Sequence, residues 1–395
     1  MPANGETKTN GTANGSSNSN EGKSLFERIE EAPSIPKEAA RKIAQLEREF
    51  VRAEVEQMRK TIPLMRPLYE KRNALIKSKE LQDADFWPRV FANAPAEIDE
   101  YILPSDAAVL GQCLKNLTVE RFELDENGNG EPRSVRLIFD FATGDDENPY
   151  FENAQLVKDF YWRKQVTKTA KGKRRTWEGY VSNPVRINWK EGQDLTKGLL
   201  DAACDLYEAE QKDKSVDRTK LPEYETLVKK IQEAEAEAMT GDEDEEADDD
   251  DPKASRSPAG MSFFAFFGYR GRDVTAEQSK EAEKEEEERF AKIEKGEEVE
   301  EDADDDDEDD EEEEDSLEAA ELFPDGEELA TAIAEDLWPG ALKYYVQSYE
   351  VPDDEFDSDA DVEELEGLED DEEDEEGDEK EEEEAEERPR KKVKT

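Results

Sequence analysis

The chain has 395 residues, 111 acidic and 53 basic, for a formal net charge of −58. It has no histidine and only two cysteines, Cys113 and Cys204, which excludes a Ser–His–Asp or Cys–His catalytic arrangement, an HExxH zinc site and a CxxC pair. No G-x-x-x-x-G-K-[ST] loop is present for ordinary ATP chemistry, and among so many carboxylates no pair stands out as hydrolytic, so no enzyme, cofactor or small-molecule substrate is expected.

Residues 1–23 are polar and lack an apolar h-region, so they read as a disordered tail and not as a signal peptide. No run of about 18 apolar residues marks a membrane span, so no membrane partner is expected. Two unpaired cysteines suit a reducing compartment. Leu25, Phe26 and Ile29 could form a short amphipathic turn before Pro33 and Pro36.

Residues 36–78 carry two apolar seams. One is Ile43, Leu46, Phe50 and Ala53; the other steps by four and three through Val51, Val55, Met58, Ile62, Met65 and Tyr69 to Ile76. This heptad-type rhythm predicts a helix, roughly 60 Å long at 1.5 Å per residue. Such a helix needs something long to lie against, and a second copy of itself is the natural candidate. Pro63 and Pro67 each remove a backbone donor, so the spacing predicts a continuous but kinked helix, against two shorter helices broken between Thr61 and Pro67.

Phe86, Trp87, Val90 and Phe91 follow at helical spacing and read as core. From Leu114 the period changes to two. Leu117 and Val119 alternate, then Phe122 and Leu124 in shifted phase as if through a bulge. Val135, Leu137, Phe139 and Phe141 alternate, as do Leu156, Phe160 and Trp162 with Lys158 between them. With residues 177–181 and 185–189 these read as four or five antiparallel strands with one buried face. The turn DENGNG (125–130) begins like a calcium loop, but its twelfth position is Arg136, and its Asn-Gly steps suit a hairpin.

The most basic local stretch holds Arg163, Lys164, Lys168, Lys171, Lys173, Arg174 and Arg175, either a hairpin tip that touches phosphates or a solvated, edge-protecting loop. Residues 199–239 look helical and charged. The block SFFAFF (262–267), flanked by charged linkers, must dock on a core. Residues 275–315 read as partly helical. Leu329, Ile333, Leu337, Trp338, Leu342 and Tyr345 then outline a helical pair folded back on the sheet. Acidic runs at 242–251, 301–315 and 351–395, the last with 25 acidic and 6 basic residues, bury nothing and should be disordered. They serve either to attract a strongly basic partner or to keep the chain soluble.

The motifs PLYEKRNALI (67–76), DFW (85–87), FANAP (91–95), DENPYFEN (146–153), INWKEGQDLTK (187–197), SFFAFF (262–267) and DLWPGALKYY (336–345) resemble the nucleosome assembly protein family. The short distance from EKR to FW is like the SET, or template-activating factor, branch. The resemblance implies an α+β fold: a long dimerisation helix followed by an antiparallel β-sheet packed with helices (the "earmuff"), plus disordered acidic segments. It divides the chain into a tail at 1–23, the N-terminal and dimerisation helix at 24–80, an earmuff at 81–198, 261–270 and 322–350, a charged insert at 199–260, an acidic linker at 271–321 and an acidic tail with a basic end at 351–395.

It further implies a homodimer that binds core histones, with duplex DNA as a weaker partner, and acts in nucleosome assembly and disassembly without ATP. The other reading is an acidic inhibitor that masks a histone acetyltransferase substrate or inhibits a phosphatase. On this resemblance the dimer interface falls to Ile43, Leu46, Phe50, Val51, Val55, Met58, Ile62, Met65 and Tyr69. Histone-binding candidates are Asp145, Asp146, Glu147, Glu152, Asp353, Asp354 and Glu355; DNA-contact candidates are Lys171, Lys173, Arg174 and Arg175. The basic end, with Arg388, Arg390, Lys391, Lys392 and Lys394, resembles a nuclear-localisation signal, or clamps the preceding acidic tail, and the expected location is the nucleus, with the cytoplasm as a second site.

Overall fold

A computed structural model describes residues 37–144, 147–169, 172–214, 216–240, 260–297, 299 and 316–350, with the backbone alone at 37 and 238–240. The first element, α1 (Lys37–Ile76), is one helix of 40 residues with Pro63 and Pro67 inside it. Pro63 cannot donate to the Arg59 carbonyl one turn back. That freed oxygen faces the 125–130 turn: a Cβ added to Gly128, whose φ is +82°, would meet it at 3.1 Å. The Arg59 guanidinium donates to the Gly130 carbonyl at 3.0 and 3.3 Å. The helix is continuous through both prolines, as the spacing predicts, and the turn packs where Pro63 frees the carbonyl.

Short helices α2 (Lys79–Gln82), α3 (Phe86–Ala92), α4 (Ala96–Asp99) and α5 (Pro104–Cys113) lead into the sheet. Phe86, Trp87, Val90 and Phe91 are all buried on α3, as core. Four strands, β1 (Leu114–Glu120), β2 (Val135–Phe141), β3 (Gln155–Lys168) and β4 (Arg174–Ser182), pair antiparallel in sequence order. The β1–β2 irregularity falls between Leu114 and Asn116, and β1 ends at Glu120 before reaching Phe122. The candidate fifth strand at 185–189 does not join the sheet. Pro184 supplies no donor, and the Val185 N–H bonds to the Phe267 carbonyl at 2.8 Å instead.

The sheet's apolar face, with Val135, Leu137, Phe139, Leu156 and Phe160, is sealed by Phe263–Gly268, a 3₁₀ segment whose six residues are all buried. Phe139 packs edge-on against Phe263 and Phe267, and Phe160 stacks on Phe266. The segment is held at both ends. Asp106 of α5 accepts from the Ser262 hydroxyl and from the Phe263 N–H at 2.8 Å. At the other end Lys158, fully buried among the apolar side chains of β3, donates to the carbonyls of Asn183 (2.7 Å), Phe267 (3.1 Å) and Tyr269 (2.6 Å). Burial pushes the Lys158 pKa down toward about 7, opposed by Glu321. Three carbonyl acceptors use all three ammonium donors, which favours the charged form. Burial raises the Glu321 pKa, while the N–H groups of Gly271, Phe323 and Arg270 pull it back.

After the sheet come α6 (Leu199–Lys212) and α7 (Pro222–Thr240), which pack on each other, then α8 (Ala276–Glu294) against β3. Leu199, Leu200, Ala202, Ala203, Cys204 and Leu206 of α6 are buried in the main core, so the segment expected as an insert begins inside it. Helix α9 (Gly326–Ala332) runs through a π-turn at Ile333–Leu337 toward α10 (Ala341–Gln347), which packs on α3. Both cysteines are free and buried, and burial pushes each thiol up to about 11.

Replacing Lys158 with Met removes the ammonium donor from the Asn183, Phe267 and Tyr269 carbonyls, of which Phe267 keeps the Val185 N–H, and takes away the cation that lowers the Glu321 pKa. The expected cost is about 3–5 kcal/mol, read as a lower urea midpoint at unchanged slope; an unchanged midpoint would show that the clamp adds nothing.

Candidate functional site

Three surfaces carry the residues singled out from the sequence. The first is α1. Its inner side meets the chain's own lobe. Tyr69 packs on Trp338 with ring centroids 4.4 Å apart. Arg72 lies over the Trp338 ring at 4.2 Å and donates to the carbonyls of Trp338 and, at 3.3 Å, Pro339. Burial lowers the Arg72 pKa to about 10, still charged at neutral pH. Met58, Ile62, Met65 and Tyr69 line a cleft of about 930 Å³ against residues 118–122, Glu335 and Trp338. Val55 lines a neighbouring cleft.

The other sides of α1 are open. Ile43, Leu46, Phe50 and Val51 are exposed, and so are Leu64, Leu68 and Leu75, which the sequence reading passed over; Leu64 is 74% and Phe50 61% exposed. The interface candidates thus divide. Ile43, Leu46 and Phe50 are exposed away from the clefts, whereas Val51, Val55, Met58, Ile62, Met65 and Tyr69 face clefts or side chains of the same chain. The overlooked signal is spacing: Phe50 and Leu64 are two heptads apart, Leu68 and Leu75 one.

The second surface surrounds the DENPYFEN turn. Asn148 is fully buried. Its amide donates to the Ala142 carbonyl at 3.2 Å, and its side-chain oxygen accepts from the N–H groups of Tyr150 (3.1 Å) and Phe151 (3.2 Å). This Asx geometry sets the bend and leaves Glu147 and Glu152 exposed on either side. Asp145 and Asp146 lie outside the described residues, as do Asp353, Asp354 and Glu355 of the acidic tail.

Acidic side chains continue beyond the turn. Asn153 donates to the Arg186 carbonyl at 3.4 Å, and the Arg186 guanidinium is ringed by Asp201 (2.7 Å), Asp205 (2.7 Å) and Glu208 (3.2 Å) of α6. These contacts raise the Arg186 pKa against the cost of its burial. Three half-exposed carboxylates around one cation leave an acidic surplus. Sequence reasoning missed it because acids spaced along a helix look like an ordinary solvated face.

The third surface is the basic hairpin. Lys168 pairs with Arg174 and Thr167 with Arg175 across β3 and β4. Lys171 lies outside the described residues. Lys173 and Arg175 are partly exposed, but Arg174 is sealed at 3% exposure beneath α8, its guanidinium facing Glu285 at 3.8 Å and Glu286 at 4.0 Å. Arg174 therefore cannot meet a phosphate in this conformation. The signal-like basic end (Arg388, Arg390, Lys391, Lys392, Lys394) lies outside the described residues. Among the described residues no group of cysteine and carboxylate side chains is arranged to hold a metal ion, and no helix is long and apolar enough to cross a membrane.

A long helix carrying a lobe of one four-stranded sheet, an aromatic plug and a C-terminal helical pair defines the architectural class. The nucleosome assembly protein family model matches residues 79–348, and a putative nucleosome assembly protein of Schizosaccharomyces pombe is 33% identical over 226 residues, covering 54% of this chain and 87% of that protein. The chain belongs to the nucleosome assembly protein family. Protein SET of Drosophila melanogaster is 35% identical over 137 residues, 35% of this chain and 43% of that protein, in keeping with the SET-like branch. Among solved structures, that of Ccp1 is similar over 80% of this chain and 99% of its own, at 24% identity and a TM-score of 0.44.

The Arg72 contacts join α1 to the lobe. Arg72→Ala should speed amide exchange at 69–76 and 336–341 by about tenfold, as expected for the loss of ~1.4 kcal/mol of local stability, and leave β2 and β3 unchanged. Equal acceleration in the strands would mean the residue supports the whole lobe.

Proposed function

We propose that the protein is a histone chaperone: a homodimer, built on α1, whose lobes bind core histones through acidic surfaces and pass them to and from DNA without ATP, in the nucleus. The observation that carries this reading is the acidic ground running from Glu147 and Glu152 to Asp201, Asp205 and Glu208, with Arg186 as the cation paired within it. The family supports the same reading. Histones are among the most basic abundant proteins of chromatin. A carboxylate-rich surface attracts them at long range, with a steep dependence on salt. The segment 351–395, with Asp353, Asp354 and Glu355 at its start, adds a second anionic reservoir.

The dimer reading rests on the apolar residues that α1 leaves exposed, Ile43, Leu46 and Phe50 together with Leu64, Leu68 and Leu75. A helix of 40 residues with such a stripe buries it most economically against its own copy.

Two measurements test the proposal. Asp201→Asn, Asp205→Asn and Glu208→Gln together should weaken binding to core histones by about tenfold, ~1.4 kcal/mol, and flatten its salt dependence; unchanged affinity and slope would remove this surface from the site. In sedimentation, Leu64→Asp with Leu68→Asp should yield monomers. Dimers that survive this pair but are lost on Met58→Asp with Ile62→Asp would move the interface to the cleft-lining side of α1.

A further inference from the structure

We propose that the cleft between α1 and the outer edge of β1 is a peptide groove, in which an extended cationic segment of a partner protein adds as a strand to β1. The inference goes beyond the acidic surface of the chaperone reading and does not draw on it. At the end of β2 the Phe141 N–H bonds to the Ala154 carbonyl on the β3 side at 2.9 Å, and the Ala142 N–H to the Cys113 carbonyl on the β1 side at 2.8 Å. Even-numbered residues of β2 therefore face β1. Asn116, Thr118 and Glu120, opposite Asp140, Ile138 and Arg136, hold the ladder bonds. Leu117 and Val119 turn their backbone groups outward.

The Leu117 carbonyl already has a donor there, the Trp338 Nε1–H at 3.1 Å. Val119 has none. Its side chain belongs to the core, the residue is buried, and among the described residues nothing bonds to its outward N–H or C=O. Buried backbone groups of this kind take a partner. Val119 lines the cleft of about 930 Å³, and across it stand Met58, Ile62, Met65 and Tyr69 of α1. An edge strand opposite a helix, with pliable methionines on the helical wall, is the geometry of capture by strand addition. Main-chain bonds hold the peptide, and its alternate side chains enter the apolar wall.

Two features choose the occupant. Only an extended backbone has N–H and C=O groups to exchange with Val119; a helix, α1 of a second copy included, spends its own internally. The charge of the mouth sets the sign. Glu70, Glu120 and Glu335 stand there with Arg66 and Arg121, and Arg121 is committed to Glu335 at 3.1 Å and to the Arg133 carbonyl at 3.0 Å. On a chain of net charge −58 such a mouth draws lysine- or arginine-bearing segments and turns away acidic ones, the chain's own residues 353–387 among them. The edge from Leu117 to Arg121 has room for about four residues at ~3.4 Å each, and Trp338 closes its Leu117 end.

The test uses the full-length chain at about 0.3 M salt, where exposed charges are largely screened, and a short labelled peptide of alternating lysine and valine. Binding should slow amide exchange across 117–121 about tenfold and leave 135–141 unchanged. The same peptide N-methylated throughout keeps its charge but has no N–H to give, and should bind about tenfold more weakly. Thr61→Trp, which sets an indole at the cleft wall, should weaken the unmethylated peptide by a similar factor. The chain with Asp201→Asn, Asp205→Asn and Glu208→Gln should bind it as the unaltered chain does. Equal binding of the two peptides, unchanged exchange at 117–121, or a loss of peptide binding in that triple variant overturns the proposal, because charge alone then explains capture. Loss of the dimer on Thr61→Trp in sedimentation also overturns it, giving the cleft to a second copy's helix. Should Thr61→Trp fail to fold, the comparison of the two peptides on the unaltered chain decides.

Discussion

The whole lobe depends on capping a single apolar sheet face with a segment that arrives late in the chain. Four antiparallel strands expose one hydrophobic side, and it is closed by six residues, Phe263–Gly268, set between long charged stretches. Phenylalanine packing supplies the driving force. Two charged groups supply the position: Asp106 at the entry and Lys158 at the exit. Neither is expected in an apolar interior, and each is there because a 3₁₀ segment leaves backbone groups that the sheet cannot satisfy.

The same economy governs the other cations. Arg163 binds Glu123 through both terminal nitrogens at 2.8 and 2.9 Å. Arg136 grips Asp159, and Arg133 grips Glu131, each through Nε and one terminal nitrogen. Arg186 is surrounded by three acids, and Lys164 and Arg174 are under α8. These arginines and Lys164 hold elements together, while lysines such as Lys79, Lys197, Lys229 and Lys284 stay exposed among more numerous carboxylates.

Much of the architecture was legible in the sequence, because period and composition speak directly to packing. The two-residue rhythm of Val135 to Phe141 became β2, the helical spacing of Phe86 to Phe91 became α3, and the isolated phenylalanine block went to the core. Three things were not legible. Pro63 reads as a kink in a continuous helix, but that the 125–130 turn packs against the Arg59 carbonyl it frees is a tertiary contact no local pattern shows. Val185, Ile187 and Trp189 alternate like a strand, yet that stretch pairs with the aromatic plug. Which seam of α1 faces its own lobe is a three-dimensional outcome that a heptad pattern cannot assign, since Tyr69 and Leu68 are neighbours in sequence and lie on different sides. Of the candidate site, acids at a turn were readable, but the Arg186 ring and the burial of Arg174 depend on elements far apart in the chain.

The late position of the plug has a consequence for synthesis. Strand β4 ends at Ser182 and the plug begins at Phe263, so about 80 residues separate the finished sheet from its cover. At the ~5–20 residues per second of translation, the sheet waits on the order of 4–16 s with its apolar side unsealed. Glu321 and the helical pair that completes the core come later still. During that interval the nascent lobe has the profile of a chaperone client, and the dense negative charge of residues 242–251 is the first part of the intervening chain able to keep neighbouring nascent lobes apart by repulsion.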